Sequence, residues 1–198
     1  MSLADYKWKK TETESIIHDI LSYKKDKHYY NLSIITKDLV LITLSGDNIN
    51  AYPFLVTRKS LFDQIAIYVN FVNASGKLIL GVYKNIQGYE PYPGDLLLDA
   101  GVINIANTGL QSIDINLNLD KGLYWLCFLT NTNPELYATD KLSSFNILSY
   151  ATLNSSPKNS VNKSYTYPTN DKLPDPFPKN ANYVFTHCPI FLRYVHGG

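Results

Sequence analysis

A strict alternation of apolar and polar residues marks residues 112–120, where the chain reads SIDINLNLD. Ile113, Ile115, Leu117 and Leu119 occupy every second position, and Ser, Asp and Asn residues stand between them. Successive side chains of a β-strand point to opposite faces, so this segment is predicted to form a strand with one dry face and one wet face. A chain that contains such a strand must supply a second apolar surface to cover the dry face.

Short apolar runs recur from residue 38 onward, separated by Gly, Asn, Asp and Pro. A spacing of roughly 8 to 12 residues, with no helical pattern between the runs, is typical of a β-sandwich or jelly roll. We therefore predict an all-β, antiparallel, jelly-roll-like sandwich over residues 38–198. Several strands are apolar on both faces, as expected when a strand also touches another element or a second subunit. The predicted strands, besides 112–120, are Leu39 to Leu44, Phe54 to Thr57, Gln64 to Val72, Lys77 to Tyr83, Leu96 to Ile103, Leu123 to Leu129, Phe145 to Ala151 and Tyr183 to Tyr194.

Residues 1–37 differ from the rest of the chain and are predicted to form an N-terminal docking or assembly segment. Within them TETESIIHDILSYKK combines a capping-box pattern with apolar residues at helical spacing, which predicts one short amphipathic helix. A helix of this length is marginal in water, so its apolar stripe needs cover from the main domain or from another chain. The candidate assembly residues on this stripe are Ile16, Ile17, Ile20 and Leu21.

Charge and hydropathy narrow the classes of partner. Lys plus Arg total 18 against 17 for Asp plus Glu, so the net charge of +1 gives no reason to expect a nucleic-acid partner. No apolar run approaches the roughly 18 residues of a membrane span, so we expect no membrane insertion. The N-terminus lacks a signal-peptide core, so we expect the chain to be made in a cytoplasm. Cys127 and Cys188 lie in separate apolar runs and are predicted to be buried free thiols.

Catalytic and metal-binding motifs are missing from the sequence. It contains no GxxxxGK[ST], GxGxxG, HExxH or GxSxG pattern, and its four histidines are scattered, so we expect a non-enzymatic protein without metal or cofactor. A glycan depolymerase remains a third possibility, because a glycosidase requires only two converging carboxylates. Asp114 and Asp120 lie about 20 Å apart along one strand, so they need partners from other strands.

Two loops are candidates for contact with a ligand or partner. One is the stretch GVYKNIQGYEPYPGDLLLDAG, in which Pro93 and Gly94 predict a tight turn that returns the chain to the core. Gly122 is expected to serve as the corresponding turn before the next strand. The other is the Asn-, Ser- and Lys-rich segment 154–182, which has five prolines and is predicted to be a long surface excursion. The candidate contact residues in the two loops are Tyr89, Glu90, Tyr92, Tyr165 and Tyr167.

The order of features from Leu78 to Leu129 resembles a β-sandwich module that recurs in tailed-phage virion proteins, especially tail and head fibres. The residues that carry the resemblance are Gly81, Val82 and Tyr83, then Pro93 and Gly94, then Leu97, Leu98, Asp99, Ala100 and Gly101, then Gly122, Tyr124, Trp125 and Leu126. It covers roughly residues 61–129, with an echo in the proline-rich approach to the final strand. The loop that carries Tyr89, Glu90 and Tyr92 departs from the family pattern.

This resemblance implies a non-enzymatic virion component, a fibre or a capsid or tail decoration subunit, which is assembled in the host cytoplasm. It further implies other virion proteins as partners and a homo-oligomer, with a trimer favoured. The alternative function is a carbohydrate-binding module that recognises a host-surface glycan through tyrosine-bearing loops, whose side chains offer large amphipathic surfaces. The wet face of residues 112–120 is a further candidate for sugar contact, after the tyrosine-bearing loops, because Asn116 and Asn118 can form hydrogen bonds with sugar hydroxyls.

Overall fold

The structure, a computed structural model, describes residues 25–30, 39–71, 75–86, 88, 90–139, 160–184 and 188–197 of the 198-residue chain. These residues form β-strands and no helix. All of the strand pairs are antiparallel, and the strands make two sheets that pack against each other. The predicted all-β antiparallel sandwich is therefore confirmed.

The strands in chain order are β1 (His28–Tyr30), β2 (Leu39–Thr43), β3 (Asn48–Val56), β4 (Ser60–Phe71), β5 (Lys77–Ile86), β6 (Tyr92–Asn104), β7 (Gly109–Leu119), β8 (Gly122–Thr130), β9 (Glu135–Thr139), β10 (Ser160–Ser164), β11 (Asn182–Val184) and β12 (Ile190–Gly197).

Each sheet draws its strands from distant parts of the sequence. Sheet A has the order β1-β12-β4-β9-β2, and β7 also pairs with β4. Sheet B has the order β11-β10-β3-β8-β5-β6. From β3 to β9 every connection passes from one sheet to the other, except the β5–β6 hairpin. Most chain neighbours in this region therefore belong to opposite layers of the sandwich.

A first apolar core fills the space between the two sheets. The alternation in β7 is confirmed, because Leu117 and Leu119 are buried in this core while Asn116 and Asn118 are exposed. The core also buries Cys188, and both Cys127 and Cys188 are free thiols as predicted. Sheet B contributes the buried side chains Tyr52, Phe54, Val56, Leu78, Leu80, Val82, Ile103, Leu126 and Phe128.

A second apolar core lies on the outer face of sheet B, beneath residues 165–181, which we call the strap. Leu173 and Phe177 of the strap are 5% and 2% exposed. The segment predicted as a surface excursion is therefore an ordered cover, and it explains why strands of sheet B are apolar on both faces. The buried residues of the sheet that belong to this second core are Ile49, Ala51, Ile79, Tyr83, Trp125, Cys127, Leu129 and Val161.

Hydrogen bonds fasten the strap to β5 and β6. The Phe177 amide donates to the Gly94 carbonyl at 2.9 Å. The Tyr83 hydroxyl donates to the Pro174 carbonyl at 2.7 Å, and burial raises the pKa of this phenol. Buried polar groups are costly unless they are bonded, so these contacts favour one position of the strap on the sheet.

A β-bulge in β6 links the β5–β6 hairpin to the strap. The register of the two strands shifts by one residue at Ala100, and Gly101 has a φ of 106°. One oxygen of the Asp99 carboxylate accepts from the Gly101 amide at 3.1 Å, and the other accepts from the Leu173 amide at 3.1 Å. The bulge therefore places a carboxylate where it bonds both the hairpin and its cover.

Most of the predicted strands are present with different ends. The segment Tyr183 to Tyr194 is wrong as a single strand, because β11 lies in sheet B and β12 in sheet A. The first half of β3 was not predicted, since Pro53 interrupts it. Proline has no amide hydrogen to donate, and among the described residues β10 pairs with β3 at Asn48 to Ala51 and not at Pro53. The short strands β1, β9 and β10 were also not predicted.

The predicted turn at Pro93 and Gly94 is wrong. Both residues lie within β6, where Pro93 pairs with Asn85, and the chain reverses between Ile86 and Tyr92. Gly94 does not have a positive φ. Glycine is needed here because the side chain of Ile86 packs closely against the backbone, and a Cβ atom on residue 94 would lie 2.5 Å from Cγ1 of Ile86.

Gly122 is the first residue of β8 rather than part of a hairpin turn. It follows the two-residue passage from sheet A to sheet B, and its φ is not positive. A Cβ atom at Gly122 would be 3.6 Å from the ring of Tyr124, which is an ordinary contact. The prediction that Gly122 forms a turn is therefore wrong.

Two predictions lie outside the described residues. They are the strand Phe145 to Ala151 and the amphipathic helix with Ile16, Ile17, Ile20 and Leu21. Of the N-terminal segment 1–37, residues His28–Tyr30 form β1 and pair with β12. The sandwich therefore includes residues that were assigned to the docking segment.

We expect Gly101→Ala to lower the free energy of unfolding by about 1 to 3 kcal/mol, because alanine is strained at a positive φ even where space is free. The matched control is Gly122→Ala, which should change stability by about 0.5 kcal/mol or less. Urea denaturation of both variants checks this. Equal losses at the two glycines would contradict the bulge assignment.

Phe177→Ala should cost about 3 to 5 kcal/mol, because it opens a cavity between the strap and sheet B. Lys179→Ala, at an exposed strap position, should stay within about 0.5 kcal/mol of the native protein. Chemical denaturation followed by tryptophan fluorescence reports on Trp125 directly beneath the strap. A loss below about 1 kcal/mol for Phe177→Ala would show that the strap does not stabilise the fold.

Candidate functional site

Three of the five candidate contact residues pack against the second core. Tyr92, Tyr165 and Tyr167 are partly buried next to it. Glu90 is half-buried. The pKa of Tyr183 is raised first by the burial of that phenol and second by the negative charge of the Glu90 carboxylate. Tyr89 lies outside the described residues. The structure therefore places Tyr92, Tyr165 and Tyr167 along the strap rather than in one pocket.

Tyr92 has a clear part in folding. Its hydroxyl donates to the Pro178 carbonyl at 2.7 Å and accepts from the Ala181 amide at 2.9 Å. Its ring also meets Phe177 edge to face, with centroids 5.9 Å apart. Burial raises the pKa of the phenol. These contacts hold the end of the strap and account for a tyrosine at this position.

Tyr165 and Tyr167 begin the strap and are fixed through their main chain. The Tyr165 amide donates to the Asp47 carbonyl at 2.8 Å, and the Tyr167 amide donates to the Asp47 carboxylate at 2.8 Å. Asp47 has a positive φ of 53° in the connection before β3. The two tyrosines are thus tied to a turn of the sandwich, and their rings pack on its second core.

An apolar surface remains on the outer face of sheet A, and we call it the aromatic face. Leu41, Tyr68 and Leu110 are 45%, 43% and 47% exposed. Tyr68 pairs with Leu110, and its ring contacts Tyr137 edge to face at 5.2 Å. Tyr68, Tyr137, Pro189 and Phe191 line a hollow of about 250 Å³. Single exposed apolar residues are ordinary, whereas a contiguous patch indicates a contact surface.

Polar side chains border the aromatic face. Gln64 of β4 links its strand to β1 and β7. Its side-chain oxygen lies 2.9 Å from His28 Nε2, and its side-chain nitrogen donates to the Asp114 carboxylate at 3.1 Å. Arg193 donates to both carboxylate oxygens of Asp63, at 2.8 Å and 3.0 Å. These hydrogen bonds hold the pKa of the Asp63 carboxyl below its usual value. The border is thus a set of paired groups rather than a field of one charge.

A second pocket, which we call the open-end pocket, lies between the two sheets at one end of the core. Its volume is about 420 Å³. In β5 the side chains of Leu80 and Val82 lie in the core between the sheets. Lys84 follows them on the same face of the strand, because alternate residues of a strand share a face. Lys84 pairs with Tyr124 of β8, which packs partly against the same core. The described residues that line the pocket are Lys84, Asn85, Leu97, Asn118, Leu119, Asp120, Gly122, Leu123 and Tyr124.

The described part of the chain shows neither a metal-binding cluster nor an activated thiol. Within it, no three His, Cys, Asp or Glu side chains lie together as a metal site. The two buried thiols are poor nucleophiles, because burial raises the pKa of Cys127 and of Cys188, the latter to about 12. No helix in the same residues is long and apolar enough to span a membrane.

Apart from the wet face of β7, no residue of the aromatic face or of the open-end pocket was predicted as a contact residue, although Leu97 and Tyr124 of the pocket belong to the motif that carries the resemblance. Tyr68 belongs to the apolar run IAIYV, residues 65–69, in which outward and inward residues look alike. Lys84 and Tyr124 are 40 positions apart in the sequence and meet only because β5 pairs with β8. The wet face of β7 was recognised, and its last polar residues, Asn118 and Asp120, are the ones that reach the pocket.

Replacing Asp63 with Asn should reduce stability near neutral pH and have little effect in acid. The pKa of Asp63 is lowered in the folded state, so the ion pair stabilises the fold above the ordinary value of 3.8 and is lost as the pH falls through the folded value. Urea midpoints at about pH 7 and about pH 2 test this. The matched control is Asp95→Asn at an exposed position of β6, and a pH-independent effect of Asp63→Asn would contradict the prediction.

No protein-family model matches this sequence, and no match is found among curated proteins. The resemblance to tailed-phage virion modules therefore depends on the quoted residues. In the structure, Asp99 and Gly101 of that motif form the bulge that bonds the strap, and Trp125 is buried beneath it. The motif thus corresponds to a structural unit of the sandwich, and a family for the chain remains a prediction.

Proposed function

We propose that this chain is a non-enzymatic structural subunit of a tailed-phage virion, a fibre or decoration protein that self-associates through the aromatic face. The virion assignment comes from the sequence resemblance. The single observation that supports association is the contrast between the sheets: sheet B has its outer apolar face covered by the strap, whereas sheet A exposes Leu41, Tyr68 and Leu110.

The composition of the aromatic face favours a protein partner. Tyr68, Tyr137 and Phe191 supply aromatic rings, which are enriched in the cores of protein interfaces. The paired charges at its border leave no strong field of one sign, and the chain carries a net charge of only +1. Copies of the chain therefore repel one another little, which is consistent with a homo-oligomer. The resemblance favours a trimer.

The second candidate function is recognition of a host-surface glycan. The open-end pocket favours it, because that pocket combines polar groups with an aromatic ring and a leucine floor. Among the tyrosines first considered, Tyr92 has its hydroxyl engaged within the fold. A sugar site is therefore better supported at the pocket than along the strap. The two candidates are compatible in one virion subunit.

Multi-angle light scattering should give an oligomeric mass for the native chain at micromolar concentration. The double variant Tyr68→Asp with Leu110→Asp should be monomeric, because charged side chains would be buried in the interface. Ile86→Asp is the matched control, since Ile86 is 53% exposed on sheet B. A native protein that stays monomeric, or a double variant that keeps the oligomeric mass, would contradict self-association through this face.

The virion assignment has its own test. Particles purified from an induced culture of the strain that encodes this chain should contain it in stoichiometric amounts by mass spectrometry. The matched control is the soluble fraction of the same lysate after the particles are removed. A chain that is abundant in the soluble fraction and missing from the particles would contradict the proposal.

A further inference from the structure

We propose that the open-end pocket binds a neutral saccharide of one or two units, with the sugar ring against Tyr124 and Leu97 and its hydroxyls bonded by Lys84, Asn118 and Asp120. This inference rests on the second candidate function, and it is independent of self-association through the aromatic face. The binding residues come from β5, β6 and β8 in sheet B, from the end of β7 in sheet A, and from Asp120 in the connection between β7 and β8.

The pocket has the size and the floor that a sugar ring requires. About 420 Å³ lies within the usual range of small-molecule sites. Tyr124 and Leu97 are partly buried against the core between the sheets, so each keeps an accessible surface toward the pocket. The Tyr124 hydroxyl donates to the Asp120 carbonyl at 3.1 Å, which fixes the ring. The apolar face of a sugar can pack on this prepared surface.

The rim supplies hydrogen-bonding groups that none of the described residues uses. Lys84, Asn118 and Asp120 are exposed, and none of the described residues gives their side chains a hydrogen bond or ion pair. Together they provide an ammonium donor, an amide that donates and accepts, and a carboxylate acceptor. Sugar hydroxyls both donate and accept, so this mixed set suits them.

The charges of the rim favour a neutral ligand. Lys84 and Asp120 contribute one positive and one negative charge to the same pocket. An anionic sugar would gain from Lys84 and lose against Asp120, and a cationic sugar would meet the reverse. A neutral sugar accepts bonds from one group and donates bonds to the other without an unbalanced charge. The hollow on the aromatic face lacks such a rim, because its described lining consists of tyrosine, proline and phenylalanine.

Binding is favoured over hydrolysis at this pocket. Glycoside hydrolysis by the usual mechanism needs two carboxyl groups on opposite sides of the scissile bond. Among the described residues that line the pocket, Asp120 is the one that carries a carboxylate. The proposal is therefore recognition without bond cleavage, and no covalent step is involved.

Saturation-transfer NMR on the native chain tests the proposal with glucose, galactose and N-acetylglucosamine as probes. At least one of them should bind with a Kd on the order of 1 mM. The double variant Asn118→Ala with Asp120→Ala should weaken binding by about tenfold or more, because it removes two hydrogen-bonding groups from the rim. Asn116→Ala is the matched control, since Asn116 is exposed on the same face of β7 but does not line the pocket.

Three results would overturn the inference. They are no transfer to any of the three sugars, equal binding by the double variant and the native chain, and tighter binding of glucuronate or glucosamine than of glucose. A folded control spectrum of each variant excludes unfolding as the cause of lost binding. Because light scattering measures association and NMR measures sugar binding, a failure of one proposal is distinguishable from a failure of the other.

Discussion

The burial of both faces of sheet B is the constraint on which the rest of the structure depends. A central strand such as β8 alternates between two cores, with Leu126 and Phe128 on one side and Trp125 and Cys127 on the other. Sheet A covers the first side, and among the described residues the strap covers the second. Each buried apolar side chain contributes roughly 1.5 to 3 kcal/mol, so leaving either side open would cost a large part of the stability of a domain.

The sequence was most informative where one residue type repeats with one period. The alternation of β7 predicted its strand and its two faces, because burial on one side leaves the other side polar. The strap could not be predicted in the same way. Its prolines and polar residues have the composition of a loop, and only long-range contacts, such as that of Phe177 with Gly94, show that it is a cover.

The candidate site was predicted only in part for a similar reason. Tyr92 attracted attention because no local pattern explained it, and its partners Pro178 and Ala181 are more than 80 residues away in the sequence. Lys84 was not noted, and Tyr124 was noted only as part of the resemblance, although strand pairing brings them to one pocket. Local patterns in a sequence specify elements, whereas a site in a sandwich arises where elements from distant positions meet.

The order of synthesis gives the strap a further consequence. Ribosomes release β3, β5, β6 and β8 before residues 165–181 exist, so the Trp125 side of sheet B lacks the strap at that stage. Exposed apolar surface on a partly formed sheet promotes aggregation, and contacts of long sequence separation form slowly. We therefore expect the nascent chain to need protection by a chaperone until the strap has emerged, and the amount of native protein in a cell to depend on that late step.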